Sequence, residues 1–402
     1  MSTENTHGLK DLFGSVPDDE LQEPAAVPPA GAAVPPAVQT ATPLAPAAPP
    51  GAPTLDAPAA VAPESLPARS PSPAIAPLSV VIHAANGFEA ARRTVEALAR
   101  QTAAQQIEVL IASPEPVEDA GSAAALRSLR AVDVPADADF AQAVAAALPL
   151  AGGDLVALLD DYAFPAGDWA EHVLRHRHEA FGALGSALAN ANPRSPYSWG
   201  NLLMEYGPWR EGLAGGEVIS LPPRNLVYRR EALLGLGEDL PKLLARDGAL
   251  ARRLAKDGHT LKHDDQARLQ VLNPSTLKGT VRARYAAGRL DGAARRGKLG
   301  LGKRLMGAFG AVFGAYPRYR QERGRLFAGD SNVSPTEHGR AVLIGMMAEG
   351  LGRAAGLMRG PGKAAQTRAA LTTDRLSSLN KTDQRQFAGA KAPRGRGAAR
   401  VG

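Results

Sequence analysis

Cysteine is absent from the 402 residues. That excludes disulfides and thiolate metal sites, so any metal must be held by carboxylate, imidazole or carbonyl groups. No apolar run reaches the ~18 residues needed to cross a bilayer. The first residues also lack the basic-then-apolar pattern of a secretory leader, and the expectation is a cytoplasmic protein. Acidic residues are scarce in one region: from Arg282 to Arg325, twelve Lys/Arg face only Asp291 and Glu322. The net charge of +6 is therefore unevenly placed. Such a stretch suits a polyanion, whether phospholipid headgroups, a lipid-linked phosphate or nucleic acid. Nucleic acid is the least expected of these, because a base-reading module and aromatics interleaved with the tail arginines are both missing.

Composition divides what is there into five parts. Residues 1–23 form a short peptide with an apolar cluster at Leu9, Leu12 and Phe13. Residues 24–77 are an Ala/Pro-rich linker that buries too little apolar surface to offset chain entropy, and are expected to be disordered. Residues 78–290 carry the pattern of an ordinary folded domain. Residues 291–360 read as a basic, amphipathic helical extension, and 361–402 as a basic flexible tail. Within the folded part, Leu78–Ile82, Ile107–Ala112 and Leu155–Leu159 are apolar runs suited to strands buried on both faces. Helices are expected at Glu89–Gln101, Ala123–Arg130, Phe140–Leu148 and 168–179. Strands alternating with helices imply βαβ units and a parallel sheet. Beyond Trp199, short strands at Val218–Leu221 and Asn225–Tyr228 precede helices at Arg230–Leu236 and Leu243–Lys256. The last strand pieces fall at Leu261 and Leu269–Leu272.

The most informative stretch is 153–169, where the run Leu155–Leu159 leads into adjacent carboxylates, Asp160 and Asp161, and then a Pro-Ala-Gly turn and Trp169. Ligands of open α/β sheets sit beyond the carboxyl ends of such strands. Two neighbouring carboxylates there repel unless a cation lies near them, which points to a hard divalent metal.

Several stretches together resemble a family-two glycosyltransferase of GT-A type over residues 78 to about 290. Leu78-Ser-Val-Val-Ile-His-Ala-Ala-Asn86 resembles the family's opening strand, and Thr94–Thr102 with Ile107–Ile111 its next helix and strand. Gly153–Trp169 is similar to its acidic metal motif. Leu221-Pro-Pro-Arg-Asn-Leu-Val-Tyr-Arg-Arg230 resembles the segment with an Asn after the acceptor loop. Arg246-Asp-Gly-Ala-Leu-Ala-Arg-Arg-Leu254 resembles the helix that carries the base. The resemblance implies a Rossmann-like, mostly parallel sheet with flanking helices, a sugar-nucleotide donor, and a divalent cation, Mg²⁺ or Mn²⁺. It implies a metal ligand at Asp161 and a catalytic base at Asp247. Asn86, Glu115, Asp160, Arg224 and Asn225 become the donor-binding candidates. The acceptor is expected to be a glycan or a lipid-linked sugar of surface polysaccharide or glycoconjugate synthesis. The protein would then lie peripherally on the inner face of the cell membrane.

The chain departs from the pattern at four places. Strand two ends in Ala112-Ser113-Pro114-Glu115 rather than an Asp, leaving Glu115 as the substitute. Tyr162 stands where a third acidic residue or His is usual, Arg246 replaces a Glu, and a late His is replaced near Asn273. These departures imply an alternative: a GT-A protein that binds sugar nucleotide or a partner enzyme without transferring sugar. His172 and His176 have metal-clamp spacing, i and i+4, yet read as a solvated helix face. Trp199, Tyr206 and Trp209, with Asn190, Asn192 and Glu205, fall either in an acceptor loop or in a core corner.

Overall fold

The computed structural model describes residues 76–117, 121, 123–328 and 333–388. The peptide 1–23 and nearly all of the linker lie outside them. The chain runs β1 (Leu78–His83), α1 (Phe88–Ala99), β2 (Ile107–Ser113), β3 (Ser128–Asp133), α2 (Phe140–Ala147), β4 (Leu155–Asp160), β5 (Ala163–Pro165), α3 (Trp169–Arg175) and β6 (Ala183–Asn190). It continues through α4 (Pro196–Tyr206), β7 (Gly216–Glu217), β8 (Leu226–Arg229), α5 (Arg230–Leu234), α6 (Leu240–Leu244), α7 (Ala249–Lys256) and β9 (Leu261–Val271). Six helices follow: α8 (Leu277–Arg296), α9 (Leu301–Phe313), α10 (Ala315–Leu326), α11 (Pro335–Arg359), α12 (Ala364–Thr373) and α13 (Lys381–Phe387).

The strands form one sheet in the order β3-β2-β1-β4-β8-β6-β9-β5, with β7 on β9. The expected α/β class is present, and the longest pairings are parallel: β1 with β2 and β4, β2 with β3, and β6 with β9. The chain moves outward from β1 to β3, then returns to the other side of β1 as β4. That reversal opens a crevice beyond the carboxyl ends of β1 and β4. Both strands are buried on both faces until their last residues, His83 and Asp160, which lie in register. Below the crevice, Ser79 Oγ donates to Glu108 Oε1 at 2.5 Å and accepts from Gly153 N at 2.8 Å. A Cβ on Gly153 would sit 2.7 Å from Ser79 N, so the turn into β4 requires glycine.

Five expectations need correction. Residues 128–133 are an edge strand rather than part of a helix at Ala123–Arg130; only Val132 is buried there, so the strand has almost no apolar alternation to announce it. The helix expected at Leu243–Lys256 breaks into α6 and α7 at Gly248, whose φ is 66°. Val218–Leu221 forms no strand, while Leu261 and Leu269–Leu272 belong mostly to one long strand, β9, with a bulge in its register. The flexible tail expected from residue 361 is folded as far as Phe387.

The helical region is tightly packed. A Cβ on Gly288 would meet Glu349 O at 2.0 Å, and one on Gly356 would meet Arg289 O at 2.2 Å, so α8 and α11 touch backbone to backbone. The expectation that no segment is long and apolar enough to cross a bilayer needs correction for α11, which is so by length and composition, with half of its apolar window buried against the protein. α9 differs. Its Leu301, Leu305, Met306, Phe309 and Phe313 are all exposed, while Gly307 and Ala311 approach Leu357 and Gly350 of α11.

Candidate active site

The crevice gathers five of the seven candidate residues. Asp160 ends β4, and Asn225 precedes β8, its antiparallel neighbour. Asn225 has φ of 60°, alone among the described non-glycine residues in being left-handed. In that conformation its Oδ1 accepts from Asp160 N at 2.8 Å and its Nδ2 donates to Asp160 Oδ2 at 3.1 Å. Asparagine tolerates this region better than other side chains. Arg224 reaches both acids: Nη1 lies 3.5 Å from Asp160 Oδ1, and Nε donates to Asp247 Oδ1 at 3.0 Å. Asp247 sits in the break before α7, one residue ahead of its N-cap Gly248, rather than inside a helix.

Asp161 is buried, and Thr94 Oγ1 of α1 donates to its carbonyl at 2.6 Å. Burial, helped by the charge on Asp160, pushes its carboxyl up to about 8. Among the described residues, no three of His, Cys, Asp and Glu gather as a metal cage. Asp160 and Asp161 instead fit a cation that takes its other ligands from substrate phosphates and water, the usual Mg²⁺ arrangement. Their mutual repulsion is the feature such an ion would relieve.

The two remaining candidates flank this group. Asn86 lies beyond β1, and its Nδ2 donates to Thr373 O. Glu115, beyond β2, presses against the β1–α1 turn, where a Cβ on Gly87 would collide with its Oε2.

The sequence reading missed the contribution of the C-terminal segment. Arg368 of α12 lies 2.5 Å from Asp247 Oδ2 and 3.4 Å from Glu205 Oε1. Arg375 Nη2 lies 3.8 Å from Asp160 Oδ2, and its Nη1 donates to Leu272 O at 3.3 Å. Thr372 Oγ1 accepts from Arg224 at 3.4 Å. Glu205 is further paired with Arg284 at 3.0 Å. Burial alone would raise the Glu205 carboxyl, but Arg284, Arg368, Arg224 and Arg375 together outweigh it and hold the group down at about 2.

Two of the four departures from the resemblance, Tyr162 and Asn273, have structural roles. Tyr162 packs with Leu272, Leu379 and Phe387, which anchors α13, and burial pushes its phenol up to about 12. Asn273 N donates to Asn192 Oδ1 at 3.1 Å, and Asn192 Nδ2 donates to the buried Asp383 of α13 at 2.9 Å. His172 and His176 do not converge: His172 lies near Asp168, while His176 bridges Glu179 and Asp264 at 2.8 and 2.9 Å. Trp199 and Tyr206 are core residues of α4.

Beside Asp247 lies a cavity of about 220 Å³ lined by Glu205, Trp209, Leu221, Pro223, Gly248 and Arg252. A larger one, about 460 Å³, is lined by Asp154, Phe181, Arg229 and His259. These residues border the opposite ends of β4, β6 and β9, away from the carboxylates. The smaller cavity is the one that adjoins the site, through Gly248 and Glu205.

No family model and no curated protein sequence matches the chain. Among solved structures it is similar to the mannosyltransferase PcManGT from Pyrobaculum calidifontis in complex with GDP-Man and Mn2+, at 19% identity and a TM-score of 0.40, over 81% of this chain and 88% of that one. It is also similar to S. aureus TarS, at 14% identity and a TM-score of 0.35, over 59% of this chain and 43% of that one. GalNAc-T7 with UDP, GalNAc and Mn2+ is a third, at 14% identity and a TM-score of 0.36, over 54% of this chain and 51% of that one.

Proposed function

We propose that this chain is a glycosyltransferase of GT-A, family-two type that moves a sugar from a sugar nucleotide to a glycan or lipid-linked acceptor, with inversion. The observation that carries this reading is the meeting of Asp160, Asp161, Arg224, Asn225 and Asp247 at the sheet's switch point. Asp160 and Asp161 would hold a Mg²⁺ or Mn²⁺ ion, which as a Lewis acid supplies positive charge to the departing diphosphate. Asn225 fixes the direction of the Asp160 carboxylate, and Arg224 keeps Asp160 and Asp247 at a set separation. In the transfer, the acceptor hydroxyl oxygen bonds to the anomeric carbon as the bond from that carbon to the diphosphate oxygen breaks. The electron pair leaves with the nucleoside diphosphate, and the hydroxyl proton passes to Asp247. The cavity beside Asp247, with Trp209 and Glu205 on its wall, offers an aromatic face and a hydrogen-bond acceptor to an acceptor sugar.

The exposed apolar face of α9, with Lys298 and Lys303 exposed beside it, supports a place on an anionic membrane surface, where a lipid-linked acceptor would lie. The reading places the protein on the cytoplasmic side and in surface polysaccharide or glycoconjugate synthesis.

A second reading, nucleotide binding without transfer, is favoured by one observation: Asp247 already accepts from Arg224 and is ion-paired with Arg368, so both of its carboxylate oxygens are engaged before any acceptor arrives. Thermal stabilisation by a panel of nucleoside diphosphates and their sugars, with and without Mn²⁺, tests the donor site. A metal-dependent rise with one nucleotide, lost in Asp161→Ala, supports it. No rise with any nucleotide from a folded protein overturns it. Turnover then separates the two readings.

A further inference from the structure

The segment from α12 to α13 is anchored at its far end and charged at its near end. Phe387 stacks on Phe164 with ring centroids 5.7 Å apart, and Arg93 lies over its ring. Asp383 is buried and bonded to Asn192 and Asn380. Ser378 O accepts from Ser275 N at 3.1 Å and from Thr276 Oγ1 at 3.0 Å. These contacts fix the turn that carries Arg375, a geometry unlike a loose basic tail. At the site, the four acids Asp160, Asp161, Asp247 and Glu205 meet four guanidiniums, Arg224, Arg284, Arg368 and Arg375. Arg284 is committed to Glu205 and to the Asn201 side chain and carbonyl. Arg375 is not: its Nε is buried with no hydrogen-bond partner, and its nearest carboxylate is 3.8 Å away.

We propose that this C-terminal strap completes the donor site, with Arg375 and Arg368 joining Arg224 to bind the diphosphate of the sugar nucleotide. The inference rests on the glycosyltransferase reading and names residues that the family motifs do not contain. Guanidinium forks pair with phosphate oxygens through charge-assisted, often bidentate hydrogen bonds, and Arg375 has donors to spare. Positive charge from these arginines would stabilise the diphosphate oxygen that carries the growing negative charge as the sugar departs. The arrangement also accounts for the engaged base. Phosphate oxygens taking Arg368 release Asp247 from one of its two cations, which frees a carboxylate oxygen for the acceptor hydroxyl when a donor is bound.

The test is titration calorimetry on the full chain with UDP, GDP, ADP and CDP, each beside its monophosphate, with Mn²⁺ present. Wild type is compared with Arg375→Gln, Arg368→Gln and Arg375→Lys, and each variant's melting temperature is recorded. The expected result is a loss of roughly tenfold or more in diphosphate affinity in the Gln variants, the scale of one charged hydrogen bond. Monophosphate affinity stays within about twofold, and Arg375→Lys recovers part of the loss by keeping the charge. Folded Gln variants that bind the diphosphate as wild type does overturn the inference alone. A wild type that binds no nucleoside diphosphate overturns the functional reading beneath it. If Arg375→Gln does not fold, Arg375→Lys decides: its single ammonium is expected to weaken diphosphate binding more than monophosphate binding, and an unchanged ratio overturns the proposal.

Discussion

Asn225 grips Asp160 at both main chain and side chain, accepting from its N–H at 2.8 Å and donating to its carboxylate at 3.1 Å. It does so from a left-handed backbone, φ 60°. Two substitutions separate grip from backbone. Asn225→Gly loses both hydrogen bonds and keeps an unstrained backbone. Asn225→Ala loses them too and places a Cβ in a region costing ~1–2 kcal/mol. Urea unfolding is expected to show Ala less stable than Gly by about 1 kcal/mol. Both are expected to lose nucleotide binding, because the Asp160 carboxylate is no longer aimed. Asn225→Gly that binds as wild type does would show that the grip serves the fold alone.

Asp247 receives a hydrogen bond from Arg224 and an ion pair from Arg368. The base role proposed for it predicts that turnover depends on Asp247 and donor affinity does not. Asp247→Asn keeps the shape and an acceptor oxygen but cannot take a proton. Transfer is expected to fall by ~10²–10⁴-fold, the usual contribution of a positioned base. Nucleoside diphosphate affinity should stay within a few-fold. Transfer that survives the substitution assigns the proton to another group, and equal loss of binding makes Asp247 a donor-site residue.

Acid stability follows from Glu205. Its folded value of about 2 lies below the ordinary value of 4.5, because the surrounding guanidiniums outweigh burial. Between those two values the unfolded chain binds more protons than the folded one, so stability rises with pH there. The contribution is present in full above about pH 4.5 and is lost as pH falls through about 2. Glu205→Gln lacks it at every pH. The difference in melting temperature between wild type and Glu205→Gln is therefore expected to be largest near neutrality and to narrow below pH 4.5. A constant difference down to pH 3 would mean that the Arg284 and Arg368 pairs add nothing through charge.

The central strands were legible because β1, β2 and β4 are buried on both faces and so appear as unbroken apolar runs. The acidic pair at the end of β4 could be placed for the same reason. β3 was misread because an edge strand with one buried residue shows no period. The break at Gly248 was missed because leucines on both sides keep helical spacing across it. Arg368 and Arg375 were hidden by composition: they lie in a stretch rich in alanine, serine and threonine that leads into the basic chain end and resembles a solvated tail. One local signal was available, Asn380 three residues before Asp383, whose N–H it caps. That cap marks a helix but says nothing of its destination, which depends on Tyr162 and Asn192, more than 180 residues earlier. Long-range packing of this kind leaves no periodic trace.

The apolar face of α9 makes the last prediction. Leu301, Leu305, Phe309 and Phe313 repeat every four residues and stand in solvent, with the Phe309 and Phe313 rings 4.3 Å apart. The opposite side of the helix is closed against α11 at Gly307 and Ala311, so the exposed rings are not a core awaiting that neighbour. Exposed Arg295, Arg296, Lys298 and Lys303 flank the face and suit an anionic surface. Phe309→Ser with Phe313→Ser removes two anchors that each contribute ~1.5–3 kcal/mol when fully buried. Partitioning onto phosphatidylglycerol-containing vesicles in a sedimentation assay is expected to fall by roughly 100-fold at low salt. Vesicles of neutral lipid should bind wild type weakly, because the flanking cations then find no counter-charge. Melting temperature is expected to be unchanged, since neither ring is buried in the free protein. If the double variant sediments like wild type, the face has another occupant, and concentration-dependent self-association of the wild type would identify that occupant as a second copy of the chain.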